Sequence, residues 1–156
     1  MKNILGLIIF LYTGILIGQT KVSPKDVITP PLKVVETFQK EYPDKIPVWG
    51  LEYVGDDNDE IRYEAKFNTN DGEALAVYDN LGVLKAFELA IPVSKLPVTA
   101  LNYLKKNYPK NAIREASVVV DYKNKTTYEV GIEKDSNFYD VVFDKDGGFN
   151  VIIQKD

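Results

Sequence analysis

One pattern is written twice along this chain. Pro31, Phe38 and Tyr42-Pro43 return as Pro97, Leu104 and Tyr108-Pro109, 66 positions later. Tyr63-x-Ala65-x-Phe67 then returns as Tyr128-x-Val130-x-Ile132, and Tyr78-Asp79-x-x-Gly82 as Phe143-Asp144-x-x-Gly147, now 65 positions apart. A spacing that persists through several different patterns with one residue of slippage points to tandem duplication, and duplication restricts the fold to two copies of one unit.

Each unit opens with helix signals. Thr29-Pro30-Pro31 combines a capping hydroxyl with prolines, whose missing N–H a helix start does not need. Leu32, Val35, Phe38 and Tyr42 follow at spacings of three and four, and Pro43 ends the run, so a helix is expected near 31–42. In the second unit Ser94 with Pro97 marks the start, Leu101, Leu104 and Tyr108 form the stripe and Pro109 the stop, which predicts a helix near 96–107.

After each helix the period changes to two. Ile61, Tyr63, Ala65 and Phe67 alternate with Glu60, Arg62, Glu64 and Lys66; Tyr128, Val130 and Ile132 alternate with Thr127, Glu129 and Glu133. That is an antiparallel strand with one apolar and one polar face. Turn residues at Asp56-Asp57-Asn58-Asp59, Asp71-Gly72, Asp79-Asn80-Leu81-Gly82, Lys123-Asn124-Lys125 and Asp144-Lys145-Asp146-Gly147 divide each unit into about four strands. One unit of about 65 residues buries a marginal core. The expected architecture is therefore α+β: a tandem αβ4 repeat (30–91 and 92–156) forming one domain, with two helices packed on one face of an eight-stranded antiparallel sheet.

Lys2, an uncharged apolar run from Ile4 to Ile17 and the polar stretch from Gln19 have the order of a secretory signal, with cleavage expected near Gly18. The run is shorter than the ~20 residues that span a bilayer. Residues 1–18 are thus expected to be removed, leaving a lead-in at 19–29, no membrane span, and a periplasmic or secreted product. The net charge of −4, with Lys and Arg scattered along the chain, argues against nucleic acid as a partner.

Histidine and cysteine are both absent. Ser–His and Cys–His catalysis, thiolate chemistry and the commonest metal ligands are excluded with them. Ser94-Lys95 are sequence neighbours and would diverge on a helix, which favours Ser94 as a cap. The carboxylate runs fail the EF-hand count: from Asp144 the glycine position holds Phe149, and from Asp56 it holds Ile61. The reading is no catalytic residue, no metal ligand and no cofactor. The alternative of a small-ligand or calcium-binding module using the turn carboxylates stays open at this stage. Trp49, between a helix stop and the first strand, reads as core, and the inward tyrosines Tyr42, Tyr63, Tyr78, Tyr108, Tyr128 and Tyr139 read as core edges with a wet hydroxyl.

These motifs, together with Trp49 and Leu96-Pro97, resemble the PepSY-like family of exported bacterial proteins, also called beta-lactamase-inhibitor-protein-like, over most of residues 30–156. The resemblance implies a saddle-shaped antiparallel sheet with two helices on its convex side, located in the periplasm. The inhibitor from which the family takes its name binds an enzyme with its concave sheet face, but no motif for that contact is present in this sequence.

If Tyr78 and Phe143 face the helices, then Leu75, Val77 and Val142 face the other way, beside Arg62, Glu64, Lys66, Glu129 and Asp140. These eight residues are the candidate binding site, expected as a broad, open and wet face. The expected function is that of a non-catalytic exported protein holding an unidentified protein or peptide partner on that face, with inhibition one form such binding could take.

Overall fold

A computed structural model describes residues 28–55 and 60–155. The expected signal peptide, residues 19–27 of the lead-in and the Asp56-Asp57-Asn58-Asp59 turn lie outside the described residues. Helix α1 (Leu32–Glu41) is followed by strands β1 (Val48–Val54), β2 (Glu60–Asn68), β3 (Glu73–Asp79) and β4 (Leu84–Ala90). A short 3₁₀ turn (Val93–Lys95) leads to helix α2 (Val98–Asn107), then β5 (Ala112–Asp121), β6 (Thr126–Lys134), β7 (Asn137–Asp144) and β8 (Phe149–Lys155). The strands form one antiparallel sheet in sequential order, β1 to β8. The halves join by pairing β4 with β5, from Ala86↔Asp121 to Ala90↔Ser117. The fold is α+β: two helices and an eight-stranded antiparallel sheet curled into a half-barrel.

The helix starts differ from expectation in one respect. Pro31 and Pro97 are themselves the residues preceding the first turn, with extended backbone and no side-chain cap. Neither Thr29 nor Ser94 caps a helix, and Ser94 lies within the 3₁₀ turn. The stops are as read. Tyr42 and Tyr108 each donate a backbone N–H, to the Phe38 and Leu104 carbonyls at 2.8 Å, before the proline that bars another turn.

The apolar stripe of α1 is rotated from the expected one. Val34 and Phe38 enter the core, while Leu32 is 73% exposed. Phe38 is the hub: its ring meets Phe67 at 5.1 Å, Tyr42 at 5.2 Å and Trp49 at 5.5 Å between centroids. Ala65, Ala74, Ala76 and Tyr78 complete this cluster. Under α2, Ala100 and Leu104 pack on Ala116, Val130, Ile132, Val141 and Phe143. Both helices therefore cover the same face of the sheet, the one carrying the alternating apolar residues. Tyr78 is wholly buried instead of standing at a wet edge, and its hydroxyl donates to Glu41 at 2.9 Å.

The repeated Asp-x-x-Gly turns dock each half on its helix. Gly82 (φ +77°) and Gly147 (φ +84°) sit in the left-handed region, which favours glycine. A Cβ on Gly82 would stand 2.8 Å from the Lys33 carbonyl oxygen, and one on Gly147 would stand 2.8 Å from the Ala100 nitrogen. The β3–β4 and β7–β8 hairpins thus press backbone against the first turns of α1 and α2. The turn between β6 and β7, at Asp135-Ser136, was not among the expected ones; it uses two non-glycine residues at positive φ, 51° and 63°.

Candidate functional site

The side chains on the face away from the helices are set by register. Val77 pairs with Glu64 and Ala86, Leu75 with Lys66 and Glu88, and Val142 with Glu129 and Val151. All eight predicted site residues lie on this face.

The face is concave, and the charges demonstrate it. In a flat sheet β2 and β8 would lie roughly 29 Å apart at ~4.8 Å per strand. Yet Lys155 on β8 acts electrostatically on Glu64 of β2, and Glu52 on β1 acts on Glu129 of β6. The two edges must bend towards each other across the face. Register shifts between Val77 and Tyr78, between Ile113 and Glu115, and between Val142 and Phe143 supply local bends. The first and third of these occupy equivalent places in the two halves.

Curling corrects the expectation of a broad wet surface. Leu75, Val77 and Val142 are buried, at 4%, 0% and 1% exposure, and Asp140 is buried too. Leu75 and Val77 form a small apolar floor with Ala86 and Val119. Glu64 and Glu129 are only partly exposed, as are Arg62 and Lys66. Lys66 lies 2.9 Å from Glu73, and Arg62 lies 3.1 Å from Glu60.

Desolvation governs the carboxylates of this face. Burial pushes Glu64 up to about 7, against the attraction of Lys155 and Lys66. Burial, with the neighbouring charge of Asp140, pushes Glu129 up to about 8. Glu115 and Asp140 are raised by the same cause, although Lys155 lies 2.8 Å from Asp140. Glu88, on β4 at the middle of the sheet, is raised well above the usual carboxylate range by burial and by Glu129. The face is acidic in composition, and burial raises its carboxylates above their usual range.

Glu52, Glu88, Glu115, Ser117 and Lys155 belong to this face and were not singled out from sequence. The alternation rule applied to β2 and β6 would have found Glu88 as well, since it stands between the inward Phe87 and Leu89.

The turn carboxylates are committed locally. Asp79 Oδ1 accepts the backbone N–H groups of Leu81 and Val83 at 2.9 Å, and Asp144 Oδ1 accepts those of Asp146 and Gly148 at 2.9 and 2.8 Å. Asp121 does the same for Lys123 and Lys125. Burial alone would raise Asp79; these amides and Lys85 bring it below the usual range instead. Among the described residues no group of three or more acidic side chains converges as a metal site would require.

No family model matches the chain, and no curated protein is similar to it at a significant level. Solved structures do share its fold. A DUF2874 family protein from Bacteroides ovatus superposes with a TM-score of 0.62 at 20% identity, covering 81% of this chain and 89% of its own. A BLIP-like protein from Bacteroides fragilis superposes with a TM-score of 0.60 at 16% identity, over 83% and 89%. A protein from Bacteroides eggerthii described as a candidate periplasmic protein reaches 0.64 at 14% identity, over 81% and 89%. At these identities the likeness establishes the fold. Among the described residues no helix is long and apolar enough to cross a membrane.

Proposed function

We propose that this chain is a non-catalytic, exported protein of the PepSY-like class, which holds a protein or peptide partner in the concave face of its sheet. The observation that carries the proposal is the curled face itself. It bears the apolar floor of Leu75 and Val77 with Val142, ringed by Arg62, Glu64, Lys66, Glu129 and Asp140, while both helices pack on the opposite side. The apolar floor is covered, so what a partner meets is a concave face lined by charged side chains, which suits a polypeptide of complementary charge. The absence of histidine and cysteine from the whole chain supports a binding role over turnover. The periplasmic description given to a structural neighbour, and the BLIP-like description of another, fit export and binding of this kind.

The experiment is capture from a periplasmic extract of the source cells with the wild-type protein, then titration of the recovered partner against the double variant Arg62→Glu with Lys66→Glu. Weakened binding supports the assignment. A partner that binds the folded double variant as tightly as the wild type places the site on another surface. Because Lys66 already lies against Glu73, the reversal costs more than the few tenths of a kcal/mol of a solvated position, so folding of the variant is checked first.

A further inference from the structure

A cavity of about 200 Å³ opens where the start of β3, the end of β4 and the first half of β5 meet; its polar lining is Glu73, Glu88, Arg114, Glu115 and Ser117. Glu88 is 3% exposed, and its Oε2 is buried without a hydrogen-bond partner among the described residues. The Ser117 side chain lies beside the same carboxyl in the lining and lowers its pKa. Native proteins rarely leave a buried acceptor unsatisfied, because it has lost its water and gained nothing in return.

The nearby cations have carboxylate partners of their own, although the Lys155 charge also acts on Glu88. Lys66 is taken by Glu73 at 2.9 Å, the Arg114 guanidinium by Glu133, and Lys155 bridges Asp140 at 2.8 Å while reaching Glu115 at 3.9 Å. The lining is rich in acceptors and carries one hydroxyl. Arg114 supplies the N–H donors of this lining, but its Nε and Nη2 are turned to Glu133 and no N–H group among the described residues reaches Glu88 Oε2.

We propose that this cavity receives one organic cation, a primary ammonium or a guanidinium, carried by a lysine or arginine side chain of the partner. The inference rests on the concave-face reading and specifies its partner as one that inserts a basic side chain. A metal ion is a poorer occupant. The acidic groups do not converge as metal ligands do, and the cavity has room for a head group with part of its aliphatic stem. An ammonium brings three donors and a guanidinium five, enough to satisfy Glu88 Oε2 and reach a second acceptor.

Proton linkage follows from the setting. Around Glu88 stand Glu73 from β3 and Arg114, Glu115 and Ser117 from β5 in the cavity lining, with Glu129 from β6, Asp140 from β7 and Lys155 from β8 acting on it electrostatically. Burial and the carboxylates Glu129 and Asp140 raise it well above the usual carboxylate range, against Ser117 and Lys155. A cation entering the cavity favours the charged carboxylate, so one proton leaves for each cation bound. Affinity should then rise with pH, because the carboxyl raised by burial gives up its proton as the cation enters.

The test uses the whole protein and small probes in place of the partner. n-Butylammonium and n-butylguanidinium chloride are titrated through the millimolar range with the Glu88, Glu115 and Ser117 amide resonances followed by NMR, n-butanol and calcium chloride serving as controls. The expected result is saturable binding of either cation that tightens with pH, is absent with butanol and calcium, and is lost in Glu88→Gln and weakened in Ser117→Ala. No saturation by either cation, equal binding to Glu88→Gln, or an equal response to calcium overturns the proposal. The two readings separate cleanly. A captured partner that is sensitive to Arg62→Glu with Lys66→Glu but indifferent to Glu88→Gln keeps the concave face and removes the cation pocket.

Discussion

Replacing Glu64 by Gln should stabilise this protein at alkaline pH and leave it unchanged in acid. Glu64 is partly exposed on β2, and burial raises it from 4.5 to about 7 despite Lys155 and Lys66. Between those values the folded chain retains a proton that the unfolded chain has lost, so unfolding releases it and stability falls as pH rises. The contribution of the neutral carboxyl is complete below about 4.5 and is lost as pH climbs through about 7. At 1.36 kcal/mol per pH unit, the gap amounts to about 3 kcal/mol. Gln has nearly the same shape and carries no charge, so it avoids that loss. Urea unfolding across pH 4 to 9 should show the two proteins within about 0.5 kcal/mol at the acid end and the variant about 3 kcal/mol more stable at the alkaline end. Parallel curves, or a variant that is the less stable one in alkali, would refute the argument. Either would mean that Lys155 and Lys66 outweigh desolvation and that the face is wetter than its curvature implies.

Gly147→Ala should cost about 2–4 kcal/mol by chemical denaturation, since it combines a left-handed backbone with a Cβ pressed 2.8 Å from the Ala100 nitrogen; Asp146→Ala one residue earlier, at an exposed side chain, should stay within about 0.5 kcal/mol. Phe38→Ala should cost about 3–5 kcal/mol, because the ring is 1% exposed and touches three other aromatic rings. Residues 28–91 expressed alone should unfold without a cooperative transition, as they lose the β4–β5 pairing; a sharp transition of the intact chain's stability would show that each half folds independently.

The sequence by itself determined the duplicated unit, the two helices, the strand faces and four of the turns seen in the structure, at Asp71, Asp79, Lys123 and Asp144. Those features are local: proline before and after a helix, side chains alternating across a strand, and glycine where backbone must turn left-handed. The alternation also placed Arg62, Glu64, Lys66, Leu75, Val77, Glu129, Asp140 and Val142 on one face correctly. It could not give their burial. Period two assigns a side chain to a face, whereas solvent access depends on how far the sheet bends, and that bend is set by bulges and by pairing between strands distant in sequence. The same limit displaced the α1 stripe from Leu32 to Val34, because the face a helix buries is chosen by the sheet beneath it. Only the tertiary structure brought β8 across from β2, so that Lys155 meets carboxylates of both halves. By withdrawing water from Glu64, Glu88 and Glu129, it turned an expected wet surface into a lined groove whose carboxylates are raised above their usual range.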